Sequence, residues 1–120
     1  MLIGATTVLV VDDIVASIVH YRDALGFEPS FEFGEPVFYA GFCRDAVAID
    51  LISSSKTQRS PGNGAVCIEV DDVDAIHAEL ARRGAKILGA PMDSSYGMRD
   101  FNVVDLDGNQ LTFGMSLAEK

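Results

Sequence analysis

The chain repeats itself, and that repetition limits its fold more than any other feature. Val10-Val11-Asp12-Asp13-Ile14 near the N-terminus is echoed by Glu69-Val70-Asp71-Asp72-Val73. Asp13 corresponds to Asp72. The glycines that follow, Gly26 in Leu25-Gly26-Phe27 and Gly84 in Arg83-Gly84-Ala85, keep nearly the same separation of about 60 residues. Matching segment ends at a near-constant spacing mark one structural unit used twice.

The same order of elements is readable in each half. Thr6–Val11 and Ala65–Val70 are runs rich in β-branched residues and predict strands. Asp13 and Asp72 stand where an N-cap belongs, because a carboxylate there accepts orphan backbone N–H groups and opposes the helix dipole. Helices are therefore expected near Ile14–Leu25 and Val73–Arg83, each stopped by a glycine able to adopt the left-handed conformation. In the second helix Val73, Ile76, Leu80 and Ala81 predict the buried stripe, and Asp74, His77, Glu79 and Arg82 the wet face. Three more strands are expected after each helix. In the first half they are Glu28–Phe33, Val37–Cys43 and Ala46–Ser53, and in the second Lys86–Met92, Arg99–Val104 and Gln110–Met115. Asp107-Gly108-Asn109 reads as a hairpin turn. The polar Ser, Gly and Pro-rich stretch 54–63 reads as a linker, long enough for one half to pair within the chain or with a second chain. The fold class is α+β: two βαβββ repeats, about 5–53 and 64–116, in a single domain of 1–120. They form a cupped mixed sheet with the helices on its outer face.

Charge and composition exclude several functions. The formal net charge is −9, which repels phosphate backbones and argues against nucleic acid as a partner. It also favours cationic small molecules. No apolar run approaches the roughly 20 residues of a membrane span. The start Met1-Leu2-Ile3-Gly4 does not read as a signal peptide, so a cytoplasmic location is expected. Cys43 and Cys67 have no CxxC spacing and no nearby histidine, and are expected to be buried, reduced thiols. His20 and His77 fall on the helices and read as surface or boundary residues. There is no Gly-x-Ser-x-Gly elbow, P-loop or GxGxxG.

Three stretches resemble the vicinal oxygen chelate superfamily of glyoxalases, extradiol dioxygenases and bleomycin-resistance proteins. They are Val11-Asp12-Asp13-Ile14-Val15-Ala16-Ser17 with Tyr21 and Leu25-Gly26-Phe27, then Val70-Asp71-Asp72-Val73-Asp74-Ala75. The third is Tyr96-Gly97-Met98-Arg99-Asp100-Phe101 running to Asp105-Leu106-Asp107-Gly108-Asn109. The third stretch looks most like the bleomycin-resistance and glyoxalase-related branch. The resemblance implies the doubled βαβββ fold and a ligand cleft. It also implies, from that branch, a homodimer.

Metal enzymes of that superfamily place one ligand, usually His or Glu, on each of four strands. By the resemblance those places are held here by Thr6, Asp50, Ala65 and Thr112. Zinc and non-haem iron ask for imidazole, thiolate or carboxylate in sets of three or more, so no metal or other cofactor is expected. No catalytic residue is assigned. The resemblance and strand alternation predict a ligand-binding set of Thr6, Phe33, Phe38, Asp50, Cys67, Tyr96, Arg99 and Thr112. Val8, Ala48, Ala65 and Phe31 lie nearby. Tyr96 stands where the bleomycin-resistance pattern carries an aromatic that stacks on its ligand. Asp50, a carboxylate in an apolar strand, needs a partner if buried: a ligand, or an arginine such as Arg99. The expected function is a metal-independent protein that sequesters a small, cationic, aromatic compound. Two alternatives stand beside it: a metal-free lyase or isomerase with Asp50 as base, and a dimeric interaction module with a vestigial cleft.

Overall fold

In the computed structural model, which describes residues 1–117, each repeat builds its own sheet and helix. The first repeat consists of β1 (Thr7–Val11), α1 (Ile14–Asp23), β2 (Glu28–Gly34), β3 (Val37–Arg44) and β4 (Val47–Ser53). The second consists of β5 (Ala65–Glu69), α2 (Val73–Arg83), the two-residue strands β6 (Lys86–Ile87) and β7 (Met92–Asp93), β8 (Met98–Val104) and β9 (Gln110–Ser116). The sheet orders are β1-β4-β3-β2 and β5-β9-β8-β6, with β7 also on β8. In each sheet the first strand runs parallel to the last, and the rest are antiparallel.

The helices begin as the sequence requires. Asp13 Oδ1 accepts the amide of Ala16, and Asp72 Oδ1 accepts that of Ala75, each at 3.1 Å. α1 stops two residues earlier than expected, at Asp23, and Phe27 N then bonds back to Tyr21 O around Gly26 at φ +77°. α2 ends at Gly84, φ +85°. Its buried residues are Val73 and Leu80, with Ile76 half-buried, while Ala81 is exposed rather than part of the stripe. His77 is half-buried because its ring meets Phe101 edge-on at 5.0 Å. His20 is also half-buried. Its Nε2 has no hydrogen-bond partner among the described residues, and burial lowers its pKa from the usual histidine value.

One expected strand, Lys86–Met92, is two short ones. Leu88 N still donates to Asn102 O at 2.9 Å, but pairing with β8 then lapses and resumes only at Met92, just past Pro91, which has no N–H to donate to a ladder. The expectation of buried cysteines is also overturned. Cys43 and Cys67 are free and exposed, because strand parity sets them on the sheet face that no helix covers.

Both helices pack on the opposite face of their sheets, where one apolar core runs through the two repeats. Leu9, Tyr21, Phe42 and Leu51 come from the first, and Val73, Leu80, Phe101 and Leu111 from the second. Among the described residues the halves share no β-ladder. Beside the common core, a buried polar network joins them. Asp105 Oδ2 accepts the Tyr21 hydroxyl at 2.8 Å and Asn109 Nδ2 at 2.9 Å. Its Oδ1 accepts the amides of Asp107, Gly108 and Asn109. Asn109 then reaches Val10 O and the amide of Gly64. The expected hairpin turn is thus also the bolt between repeats. Burial next to Asp105 raises the Tyr21 pKa, which keeps the hydroxyl a donor. The linker lies along the outer edge of β1, where Arg59 donates to Val8 O at 3.0 Å and Gly62 N to Val10 O at 3.3 Å. An edge covered in this way is blunted against stray pairing.

Candidate functional site

Alternation along the strands decides which side chains face away from the helices. In β8 and β9, Phe101, Val103, Leu111 and Phe113 go to the core. Met98, Asp100, Asn102, Gln110, Thr112 and Gly114 therefore line the open face, together with Cys67 and Glu69 of β5. With Tyr96 from the turn before β8 they enclose a concavity of about 720 Å³. Gln110, Asn102 and Thr112 form its polar floor, with Thr112 Oγ1 donating to Asn102 Oδ1 at 2.6 Å. Tyr96, 70% exposed, hangs over one side and donates its hydroxyl to Asp100 Oδ2 at 2.7 Å. That bond raises the Tyr96 pKa and keeps the phenol neutral. The cavity thus offers one aromatic face, two carboxylates, two carboxamides, a thiol and a thioether. It holds no nucleophile bonded to a base among the described residues. Such a lining receives a ring and a donor group better than it performs acid–base chemistry.

The first repeat presents a different surface. Val8, Val10, Tyr39, Gly41, Cys43, Ala48, Asp50 and Ile52 point to its open face. The partner of Asp50 is Tyr39, whose hydroxyl donates to Oδ2 at 2.7 Å; no arginine pairs with it. Burial and the Asp50 bond push the Tyr39 hydroxyl up to about 12, so it remains a donor. Phe31, 48% exposed, stacks on Tyr39 with ring centroids 6.0 Å apart. Phe33 meets Phe38 edge-on at 5.6 Å, and Lys56 Nζ lies 5.1 Å from the Phe38 centroid.

The residues singled out in the sequence separate into three groups. Cys67, Tyr96 and Thr112 share the cavity of the second repeat. Phe33, Phe38 and Asp50 belong to the first, and Thr6 is exposed just before β1. Arg99 stands on the helix side of β8. There it makes a two-pronged contact with Asp74, at 2.9 and 3.1 Å, and another with Asp93 at 2.9 Å. Those bonds raise its pKa and lower that of Asp74. It is a structural tie and not a cavity residue. Glu69, Met98, Asp100, Asn102 and Gln110 were not singled out, yet two-residue alternation from Thr112 and opposite Arg99 points to most of them.

The positions Thr6, Asp50, Ala65 and Thr112 offer one carboxylate, two hydroxyls and a methyl group. Thr112 is spent on Asn102, Asp50 on Tyr39, and alanine offers no donor. Among the described residues no three His, Cys, Asp or Glu side chains converge.

The model of the Glyoxalase/Bleomycin resistance protein/Dioxygenase superfamily matches residues 4–113. The chain belongs to this superfamily. No curated protein matches it in sequence. Among solved structures, a bleomycin-binding protein of Streptomyces verticillus in complex with copper(II)-bleomycin is 30% identical with TM-score 0.78, covering 94% of this chain and 95% of that one. A superfamily member from Sphaerobacter thermophilus gives TM-score 0.82 at 22% identity, covering 97% and 98%. A lactoylglutathione lyase of Agrobacterium tumefaciens gives 0.76 at 21%, covering 94% and 92%. The latter two likenesses speak for the superfamily fold.

Proposed function

We propose that this superfamily member is a metal-independent binding protein that sequesters a small aromatic, cationic compound in the cup of its second repeat. The observation that carries the reading is the open cavity of about 720 Å³, in which exposed Tyr96 stands beside Asp100 and Glu69 with no acid–base pair. The net charge of −9 favours the approach of a cation. The 30% identity to the protein that holds copper(II)-bleomycin supports a ligand of that kind, with bleomycin as the first candidate to test. The working form is a homodimer. Phe31, Phe33 and Met92 are exposed apolar side chains of the kind that a second copy would cover.

The test joins metal analysis of the purified protein to a thermal-shift screen with copper(II)-bleomycin and planar amidines. The expected result is protein free of stoichiometric metal and a rise in Tm that Tyr96→Ala removes. Stoichiometric zinc, nickel or iron in the protein would overturn the metal-independent reading. Absence of any shift with the cationic aromatics would overturn the ligand class. A metal-free lyase or isomerase is the second reading. It is favoured by the half-buried Asp50, whose Oδ2 holds a neutral tyrosine hydroxyl on an open sheet face.

A further inference from the structure

The buried bolt between the repeats has no equal at the matching place of the second repeat. Tyr21 follows the cap Asp13 at the same distance at which Leu80 follows the cap Asp72, so the two hold the same position in their helices. Around Tyr21 the space between the repeats is filled. The loop Asp105 to Asn109 enters it, accepts the Tyr21 hydroxyl and the amide of Asp12, and reaches Val10 O. Around Leu80 the approaching element is only the tight turn at Asp45 and Ala46, and leucine has neither the ring nor the hydroxyl of tyrosine. A cavity of about 240 Å³ is left between the repeats. Its walls are Leu25, Phe27, Ile68, Ile76, Leu80 and Phe113, all side chains of the core on the helix side of the sheets. The cup opens on the other face, and only Ile68 and Glu69 at the end of β5 border both spaces.

The rim of this cavity is acidic. Asp45 of the turn, Glu69 and Asp71 ahead of α2 stand on it, all three exposed. Arg44, the one cation of the lining, is committed elsewhere. Its guanidinium gives two bonds to Glu79, at 2.7 and 2.8 Å, and Arg83 gives Glu79 a third. Size sets the body of a ligand. An apolar cavity of about 150 Å³ takes benzene, so this one takes a chain of about six carbons. We infer that the space left by the short turn is a second binding site, for a short-chain aliphatic primary amine. The chain lies among Ile68, Ile76, Leu80 and Phe113. The ammonium group stays at the wet rim beside Asp45 and Asp71, which spares it the cost of burial. The site does not rest on the proposed function. An alkylammonium has no ring to stack on Tyr96, and the cavity and the cup lie on opposite faces of the sheet.

The experiment is an NMR titration of the full chain at neutral pH with hexylamine, and with 1-hexanol as the uncharged control. It is read at the methyl groups of Ile68 and Ile76 in the cavity and of Met98 in the cup. Hexylamine should shift both isoleucines saturably and leave Met98 in place, and hexanol should bind at least tenfold more weakly. Asp45→Asn combined with Asp71→Asn should bring hexylamine level with hexanol. Leu80→Phe, which gives α2 a ring where α1 has Tyr21, should fill the space and remove the shifts, with Val47→Phe in its place if that variant does not fold. Isoleucines that hexylamine does not move in wild type overturn the inference, and so do shifts that survive in the filled cavity. Equal binding of hexanol, or undiminished binding in the double aspartate variant, overturns the ligand class. Shifts at Met98 alone overturn the site and put the amine in the cup. Failure at the isoleucines leaves the proposed function standing, because the screen with copper(II)-bleomycin and amidines tests that separately.

Discussion

The two repeats have the same strand order and the same aspartate caps, yet they differ at two places. The hairpin between β3 and β4 turns on Asp45 and Ala46, whereas the one between β8 and β9 runs through five residues, Asp105 to Asn109. Only the longer loop reaches across to Tyr21 and Val10 of the other repeat. The open faces differ as well. The second repeat floors its cup with hydrogen-bonded Thr112 and Asn102 and lays no ring of its own over them, and the first lays Phe31 over Gly41. Duplication fixes the scaffold, and a few side chains then divide the labour. The second repeat contributes the buried bolt and the open cup, and the first an aromatic wall and the Arg44 tie to Glu79.

The largest effect should come from breaking the connection. Asp105→Ala leaves the Tyr21 hydroxyl, Asn109 Nδ2 and three backbone amides without their acceptor. A loss of about 4 kcal/mol in urea unfolding is expected, larger than for any single residue of the short β3–β4 turn. A loss under about 1 kcal/mol would mean that the apolar core alone holds the repeats together.

The difference between the cups is tested next. Gly41→Ala must push the Phe31 ring aside and should cost about 2 kcal/mol, most of it recovered in the double variant with Phe31→Ala. Gly114→Ala meets the Asp100 Cβ at 3.2 Å, the flexible Met98 Cε at 3.3 Å and Arg99 O at 3.6 Å, none closer than 3.0 Å, so it should cost less than about 1 kcal/mol. Equal costs, or no coupling to Phe31, would erase the distinction.

The caps should show where the repeats are alike. Asp13→Ala and Asp72→Ala each remove one bond to a helix amide and should each cost about 1 kcal/mol in thermal or urea unfolding.

The smallest effect is in acid. Glu79 on α2 takes two bonds from Arg44 of the first repeat and one from Arg83. Mainly through Arg44, and against its own desolvation, its carboxyl is lowered to about 2 from 4.5. The folded value lies below the unfolded one. Its contribution is therefore present above about pH 4.5 and fades as the pH falls toward 2. After solvent screening it should amount to no more than about 1 kcal/mol, and Glu79→Gln should flatten that part of the stability profile.

The fold was legible because its determinants are local: paired aspartate caps, paired glycine stops and β-branched runs at a fixed separation. Where Pro91 splits a strand, the cost of its missing N–H outweighed the apolar run around it. The site was less legible. Period-two alternation placed Cys67 and Thr112 on the open face, and the same rule should have put Arg99 on the other one. It was the family pattern around Arg99 that drew it into the site. The Tyr39–Asp50, Tyr96–Asp100 and Tyr21–Asp105 bonds join residues on different turns or strands. No spacing rule announces them, and they depend on register and twist that only the folded chain supplies.

The central claim is that the open cup of the second repeat, and not a metal centre, receives the ligand. Calorimetric titration with copper(II)-bleomycin and with benzamidine tests it directly, using wild type, Tyr96→Ala, Asp100→Asn and Arg99→Ala. The account predicts saturable binding that falls at least tenfold in the first two variants and is unchanged in Arg99→Ala, whose side chain lies on the helix face. Equal affinity in all four proteins, or no binding of either probe to wild type, would contradict it.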